Sequence, residues 1–576
     1  MRQLSAKSSL DTLRKQAKRW LGELRAGDAD ALARFTRFHS RAPTEAGLRD
    51  VQHALAREHG LPSWSDLESA LADLAADTRD LDQQLAEFLE HACLRYGTRP
   101  GTSHWDRLYN DHPTRPKHAA RLLSRNPAIA KASIHAAVVS GDVAEVQRRL
   151  AQRPACANEK GPDGWEPLLQ LCFGRLPINA ACDNAVAIAQ ALLAAGANVH
   201  VSFGSGAPFT PLTGVIGEGE GTKFGQPPHP RARELATLLI DHGVDPYDRQ
   251  ALYDTSLEGD DVSWLEFLYE RSLASNRADA WLRPAVDWPQ IAMLDYLLAN
   301  AVGRNHLQRA RWLLGHGARA TAPSPDGKHS GLRTALLNGF VEMADLLIQH
   351  GAPDEELEGY DAFQAACMRM DRARAAELSH RHPEFLLGAD TLLKAAARAR
   401  SDVVTLLLDL GVSPDVENHS KTRPLHSAAA SNASNVAQLL IERGAAIDPI
   451  DGTYSATPLG WAHYFEKTEV RGLLASKSND LLALVAMGNT ERLRDVLNAD
   501  PHLARRPMLR DGTLFSLPDD DDIAAELAAI LISHGADASV TKDGMNPIEY
   551  YSKRGFELTA EALRGTNPQH STNNNR

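Results

Sequence analysis

Residues 423–445 read RPLHSAAASNASNVAQLLIERGA, and this stretch decides the fold. Pro424 suits the first turn of a helix, where its missing N–H would be unpaired anyway. Ala428, Ala429 and Ala430 are small enough for neighbouring helices to approach closely. A second apolar helix closes with Leu439-Leu440, and Gly444 takes the left-handed position where a Cβ would clash. The same close recurs as Leu192-Leu193 before Gly196-Ala197, Leu346-Leu347 before Gly351-Ala352 and Leu531-Ile532 before Gly535-Ala536. Looser copies end at Gly243, Gly317 and Gly411. Gly317 to Gly351 is 34 residues and Gly411 to Gly444 is 33. A fixed period of that size predicts a solenoid of stacked helical hairpins.

The opening phrase recurs as well: Glu166-Pro167-Leu168, Thr210-Pro211-Leu212, Thr457-Pro458-Leu459 and Asn546-Pro547-Ile548. Thr or Asn before the proline can cap the helix. Arg423 cannot, so Thr422 is the expected cap of its unit. Gly141-Asp142, Gly339-Phe340 and Gly488-Asn489 read as turns between paired helices. Asp163-Gly164, Asp326-Gly327, Asp451-Gly452, Asp511-Gly512 and Asp543-Gly544 are hairpin-turn signals between units. Some units use a second dialect, in which a proline stops the second helix: Leu150 to Pro154, Leu378 to Pro383 and Leu497 to Pro501. The residue before a proline is pushed out of the helical region.

These pieces resemble the ankyrin repeat family, whose T-P-L-H-x-A-A, G-D/N and L-L-x-x-G-A-D phrases they match over residues 131–563. The N-terminal helices resemble the helical preface of bacterial multi-ankyrin-repeat proteins. The resemblance implies an all-α ankyrin-repeat solenoid of helix–turn–helix units with short β-hairpin loops and an N-terminal helical cap. Its concave face is where the family binds partners. Counting both dialects gives about twelve units. Residues 248–305, with Trp264, Trp281 and Trp288, are the least periodic.

Four regions follow. Residues 1–75 are expected to form the cap: Leu10, Leu13, Ala17, Leu21 and Leu24 share one helical face, opposite Arg14, Lys15, Lys18 and Arg19. Residues 76–130 form a helical bridge, and Leu122 to Pro127 reads as a degenerate unit in the proline dialect. The array occupies 131–563, with an insertion at 202–233 rich in Gly and Pro. Residues 564–576 read as a disordered tail. Deletion of 215–229 is expected to leave folding intact.

A net charge of −12 argues against bulk nucleic-acid binding, which needs a basic footprint. No apolar run reaches the roughly 18 residues that span a bilayer, and the first residues lack a secretory apolar segment. Five cysteines without C-x-x-C pairing fit a reducing cytoplasm.

Signals for chemistry are few. Gly217-Glu218-Gly219-Glu220-Gly221 is glycine-rich, but its acids would repel phosphate. Glu218, Glu220 and His229 match no recognised metal spacing, and solvent exposure is the expectation for all three. His242, His316, His350 and His534 each precede a terminating glycine, which marks a slot at a helix C-terminus. No zinc-spaced Cys/His set and no nucleophile elbow occur, so no catalytic residue, metal or cofactor is expected. Asp519 to Asp522 read as a solvated acidic loop or a patch for a basic partner. Tyr454, Trp461, Tyr464 and Phe465 lie on a hairpin and the following helix start, as interface anchors or as core. Trp165 has the same standing.

The expected function is a non-catalytic, cytoplasmic scaffold that recognises a protein partner through the concave face, with Trp165, Glu218, Glu220, His229, Tyr454, Trp461, Tyr464 and Phe465 as candidate contacts. Two other readings fit the sequence. One is an enzyme or enzyme regulator with a small-molecule or metal site built by 202–233. The other is a bacterial effector acting on a host or competitor protein.

Overall fold

Short apolar runs closed by residues of positive φ fold this chain into helical pairs. The computed structural model describes residues 10–38, 48–61, 63–64, 66–67, 70–71, 80–96, 111, 113–204, 208–219, 226–257, 259–284, 290–322, 329–505, 513–518, 520–542, 544–553 and 556–564. The sequence readings at Glu220, Trp288, Asp326-Gly327, Asp511-Gly512, Asp519, Asp543 and the 565–576 tail lie outside them. The chain divides into two compact units, residues 1–300 with 315–318 and residues 301–314 with 319–576.

The second unit carries the plainest version of the repeat. Its pairs are Gly331–Leu337 with Val341–Gln349, Gly359–Met368 with Arg372–Arg381, Asp390–Ala397 with Ser401–Asp409, Pro424–Ala430 with Ser434–Glu442, Pro458–Tyr464 with Thr468–Ala475, and Leu481–Ala486 with Thr490–Ala499. Each first helix packs on the next first helix. The Ser401–Asp409, Ser434–Glu442 and Thr468–Ala475 second helices stack likewise. Leu425, Ala428, Ala429, Val436, Ala437 and Leu440 are buried in the core cluster that runs from Phe363 to Leu563. The small residues of the first helices therefore do what the sequence predicts.

Gly444 has φ 89°. Its N–H donates to Ile441 O at 3.0 Å, and Ala445 N–H donates to Leu440 O at 2.9 Å. This pairing satisfies the last carbonyls of the second helix. His534 plays its slot as read: Nδ1 sits 2.8 Å from Ile530 O. In the proline dialect the second helix runs straight into a 3-10 turn: Pro154–Asn158, Pro383–Leu387 and Pro501–Arg505. Thr210, Thr457 and Asn546 cap their helices by accepting from Thr213, Gly460 and Glu549 N–H. The Pro424–Ala430 helix differs from expectation. Its N-cap residue is Arg423, whose N–H donates to His426 Nδ1 at 3.2 Å.

The expected β-hairpin loops hold no strand among the described residues. Turns and isolated bridges, such as Lys542 to Met545, stand in their place. The acidic run is also corrected. Asp520 caps the Asp521–Ser533 helix. Asp521 is buried, and accepts from Leu558 N–H (3.0 Å), Thr559 N–H (2.9 Å) and Thr559 Oγ1 (2.7 Å). It is a cap on the Glu557–Arg564 helix, where a negative charge meets the positive end of a helix.

The first unit holds the pairs Leu81–Ala92 with Thr114–Arg125, Ile134–Ser140 with Val143–Gln152, and Pro167–Phe173 with Ala185–Ala194. Pro211–Ile216 with Ala232–Asp241 follows, and Arg249–Asp254 precedes Ser263–Ala274 in the aperiodic stretch. There Asn276, at φ 57°, occupies the left-handed terminal position that glycine holds elsewhere. Trp281 is fully buried and donates to Ser272 Oγ at 3.0 Å, while the ring of Trp264 lies under the Arg233 guanidinium at 4.0 Å.

The N-terminal helices Leu10–Arg25, Ala29–Phe38 and Leu48–Glu58 pack on one another. Leu13, Ala17, Trp20, Phe35, Leu55, Trp64 and Leu67 are buried in a cluster of their own. Trp20 Nε1 donates to Ala31 O at 3.1 Å.

Candidate functional site

Two places gather the residues singled out by the sequence, one in each unit.

In the second unit, Asp451 organises an aromatic ladder. Its carboxylate accepts N–H bonds from Thr453, Tyr454 and Ala456 at 2.8–2.9 Å and the Trp461 indole N–H at 3.3 Å. Burial pushes this carboxyl up, but the donors, Tyr454 and Ala456 foremost, outweigh it and hold the group below its ordinary range. Trp461 meets Tyr454 edge-on with ring centroids 5.6 Å apart, Phe465 at 6.0 Å and His426 at 5.3 Å; Tyr464 meets Phe465 at 5.0 Å. The structure thus brings Tyr454, Trp461, Tyr464 and Phe465 together. Tyr454 is 43% exposed and the other three are half-buried.

His426 locks the base of the ladder. Nδ1 accepts from Arg423 N–H, so Nε2 carries the hydrogen donated to Ala456 O at 3.2 Å. Burial lowers its proton affinity, which keeps the ring neutral. Thr457 Oγ1 donates to Asp480 Oδ2, and Asp480 in turn caps the Leu481–Ala486 helix. Thr210 and Asp248 form the same relay in the first unit. Each relay ties one helix start to the next.

In the first unit the insertion packs in part, through its middle. Gln226 and His229 are buried. Glu218 N–H donates to Gln226 O, and His229 N–H to Val215 O at 2.9 Å, so 226–230 folds back on the Pro211–Ile216 helix. This corrects the expectation of solvent exposure at His229 and half-buried Glu218. It also corrects the expected tolerance of a 215–229 deletion, which would remove fully buried Val215 and Ile216. His229 Nδ1 accepts from Arg231 N–H. Burial, helped by the Arg175 and Arg231 charges, pulls the imidazole down to about 3. The neutral ring is held by the backbone.

Beneath the insertion lies a buried polar network. Asp111 accepts from Arg95 N–H (2.6 Å), Tyr96 N–H (3.1 Å) and the Gln226 amide (2.6 Å), with Arg115 at 3.7 Å. Arg95 reaches Asp163 at 2.8 Å and lies 4.2 Å over the Trp165 ring. Arg175 donates to the carbonyls of Pro227, Cys172, Gly174 and Gly214 at 2.6–3.0 Å. Burial draws its guanidinium down to about 10, still charged near neutrality. Trp165 is 6% exposed and stacks on Phe203, so its indole is a packing element here. Beside this network a cavity of about 360 Å³ opens between Pro113, Val138, Leu171, Pro227 and Pro230. Burial pushes the Cys93 and Cys172 thiols up to about 12, which makes them poor nucleophiles.

Sequence reasoning missed Asp111, Gln226 and Arg175, whose partners are far apart in the chain. It also missed a group of Glu87, His91 and His118, whose only local signal is the four-residue spacing of Glu87 and His91. Among the described residues, no helix is long and apolar enough to cross a membrane.

Residues 392–483 match the family model described as ankyrin repeats (3 copies). A curated relative, human ankyrin repeat and SOCS box protein 16, is 36% identical over 149 residues, 26% of this chain. The chain matches about a quarter of that relative's length, 25%. Among solved structures, an ankyrin repeat domain from Acinetobacter baumannii is 20% identical at a TM-score of 0.25, covering 30% of this chain and 95% of that one.

Proposed function

We propose that this chain, which carries ankyrin repeats over residues 392–483, is a non-catalytic scaffold that captures a protein partner on the aromatic ladder of its second unit. The observation that carries this reading is Tyr454. It stands exposed at the tip of a turn, backed by a Trp461 that Asp451 and His426 hold in place. A preformed aromatic anchor loses little entropy on binding, and aromatic side chains dominate interface energetics. Tyr464 and Phe465 extend the same surface. On this reading the array spans 131–563 in about twelve units, behind a cap at 1–75 and a bridge at 76–130. The thiols suit a reducing compartment, the cytoplasm.

A second reading has one observation in its favour. The cavity beside 227–230 falls at the low end of the roughly 300–1,000 Å³ of small-ligand pockets. The insertion would then help to form the site of a small regulatory molecule.

The test is affinity capture with tagged full-length chain from its native cells, identifying retained proteins by mass spectrometry. A partner held by the wild type and by a 220–225 deletion, and lost from Tyr454→Ser/Tyr464→Ser at unchanged thermal stability, is the expected result. Retention by the double variant with loss from the deletion would move the site to the insertion.

A further inference from the structure

We propose that Glu87, His91 and His118 form a binding site for one divalent transition-metal ion of the zinc class. Glu87 and His91 are four residues apart in the Leu81–Ala92 helix, so they share one face, one turn apart. That face packs against Thr114–Arg125, which supplies His118. The contact is close: His118 Nε2 lies 2.9 Å from Glu87 Oε1. The two imidazoles meet edge-on, 4.8 Å between centroids and 70° between planes. One ligand atom from each of the three residues lies within 4.8 Å of the other two.

Bond lengths of about 2.0–2.1 Å place neighbouring ligands of a tetrahedral ion roughly 3.3 Å apart. The Glu87–His118 edge is already that short. The longer edges, at most 4.8 Å, need closure of up to about 1.5 Å, within reach of side-chain rotation at His91 and Glu87. All three residues are half-buried, with side-chain exposures of 19% for His118 and 22% for Glu87. An ion could enter from solvent and yet be partly shielded from it.

The donor set selects the metal. Two imidazole nitrogens and one carboxylate oxygen suit Zn²⁺, Co²⁺ or Ni²⁺ better than Ca²⁺ or Mg²⁺, which want oxygen alone, or Cu⁺, which wants sulfur. Three protein ligands leave one position for water. The bound ion would staple two helices whose connection runs from residue 93 to 113, and so stabilise this pair against opening.

The test uses the chelator-stripped full-length chain, titrated with Zn²⁺ by calorimetry and with Co²⁺ by visible absorption. The variants are His118→Ala and the shape-conserving Glu87→Gln, and the control is His242→Ala at a helix-terminal histidine elsewhere. The wild type and control are expected to take up one tight equivalent, give the intense d–d bands of a low-coordinate cobalt ion, and melt at a higher temperature with Zn²⁺. Both variants are expected to bind more than roughly 100-fold more weakly and to lose the zinc-induced shift. Should His118→Ala fail to fold by circular dichroism, Glu87→Gln decides alone. A wild type that binds no more tightly than the variants overturns the site and leaves an interhelical Glu–His contact only.

Discussion

The stack around residues 392–483 and the ground beneath the insertion, residues 80–230, solve the same packing problem with different chemistry. The stack buries Leu, Val and Ala between helices, and its polar groups act as caps and as relays that reach the neighbouring pair. The insertion region buries Asp111, Arg115, Gln226 and His229 and spans long stretches of chain to satisfy them. Apolar stacking tolerates drift, because each pair needs only a neighbour of the right size. A buried ionic network is intolerant, because one missing partner strands the rest. The stack is thus modular, and the insertion region is a fixed knot.

Breaking the knot should give the largest effect. Asp111→Ala leaves two backbone N–H groups and the Gln226 amide without this acceptor, and removes the carboxylate 3.7 Å from Arg115. A loss of about 3–5 kcal/mol is expected in urea unfolding, with faster hydrogen exchange at Arg95 and Tyr96. A loss below about 1 kcal/mol would mean that water replaces the carboxylate.

Among the turn glycines of the second unit, sterics should set the cost. Gly339 has φ 69°, and an added Cβ would lie 2.4 Å from Met368 O. Gly444 has φ 89° with open space around it. Gly339→Ala is expected to cost about 2–3 kcal/mol and Gly444→Ala about 1 kcal/mol. Equal costs, read from paired thermal melts, would show that backbone conformation alone sets the penalty.

Acid should weaken the knot through His229. The His229 imidazole drops from an ordinary 6.5 to about 3 on folding. Between these values the unfolded chain binds a proton that the folded chain refuses. Stability from this residue is therefore complete above about 6.5 and falls as pH drops, by about 1.4 kcal/mol per unit. His229→Gln should flatten the pH dependence of melting over that window, and an unchanged slope would place the lost stability elsewhere. Thr457→Val should give the smallest effect, about 1 kcal/mol, by removing a cap and its relay to Asp480.

The stack was readable because its rules are local. Pro424, the alanines after it, Leu439-Leu440 and Gly444 each state a backbone or packing requirement within one turn of themselves. The aromatic ladder was readable for the same reason, as four aromatic residues fall between 454 and 465. Asp111 gave no such signal, since its partners Arg95 and Gln226 lie 16 and 115 residues away. Asp521 misled because an acidic run looks the same whether solvated or folded under a helix start 36 residues on. The inter-helix turn was only half legible: glycine marks it at Gly339 and Gly488, but Met370, Ala399, Asn432 and Glu466 adopt the same left-handed conformation. Neighbouring helices fix that turn strongly enough to override residue preference.

Each helical pair draws its stability from the pairs beside it. Hydrogen exchange of the Leu440→Ala chain, read peptide by peptide, tests it most directly. Protection should fall across Asp390–Ala397 through Thr468–Ala475, while Val341–Gln349 and Thr490–Ala499 keep theirs. A uniform loss from 331 to 564 would contradict it and show one indivisible core.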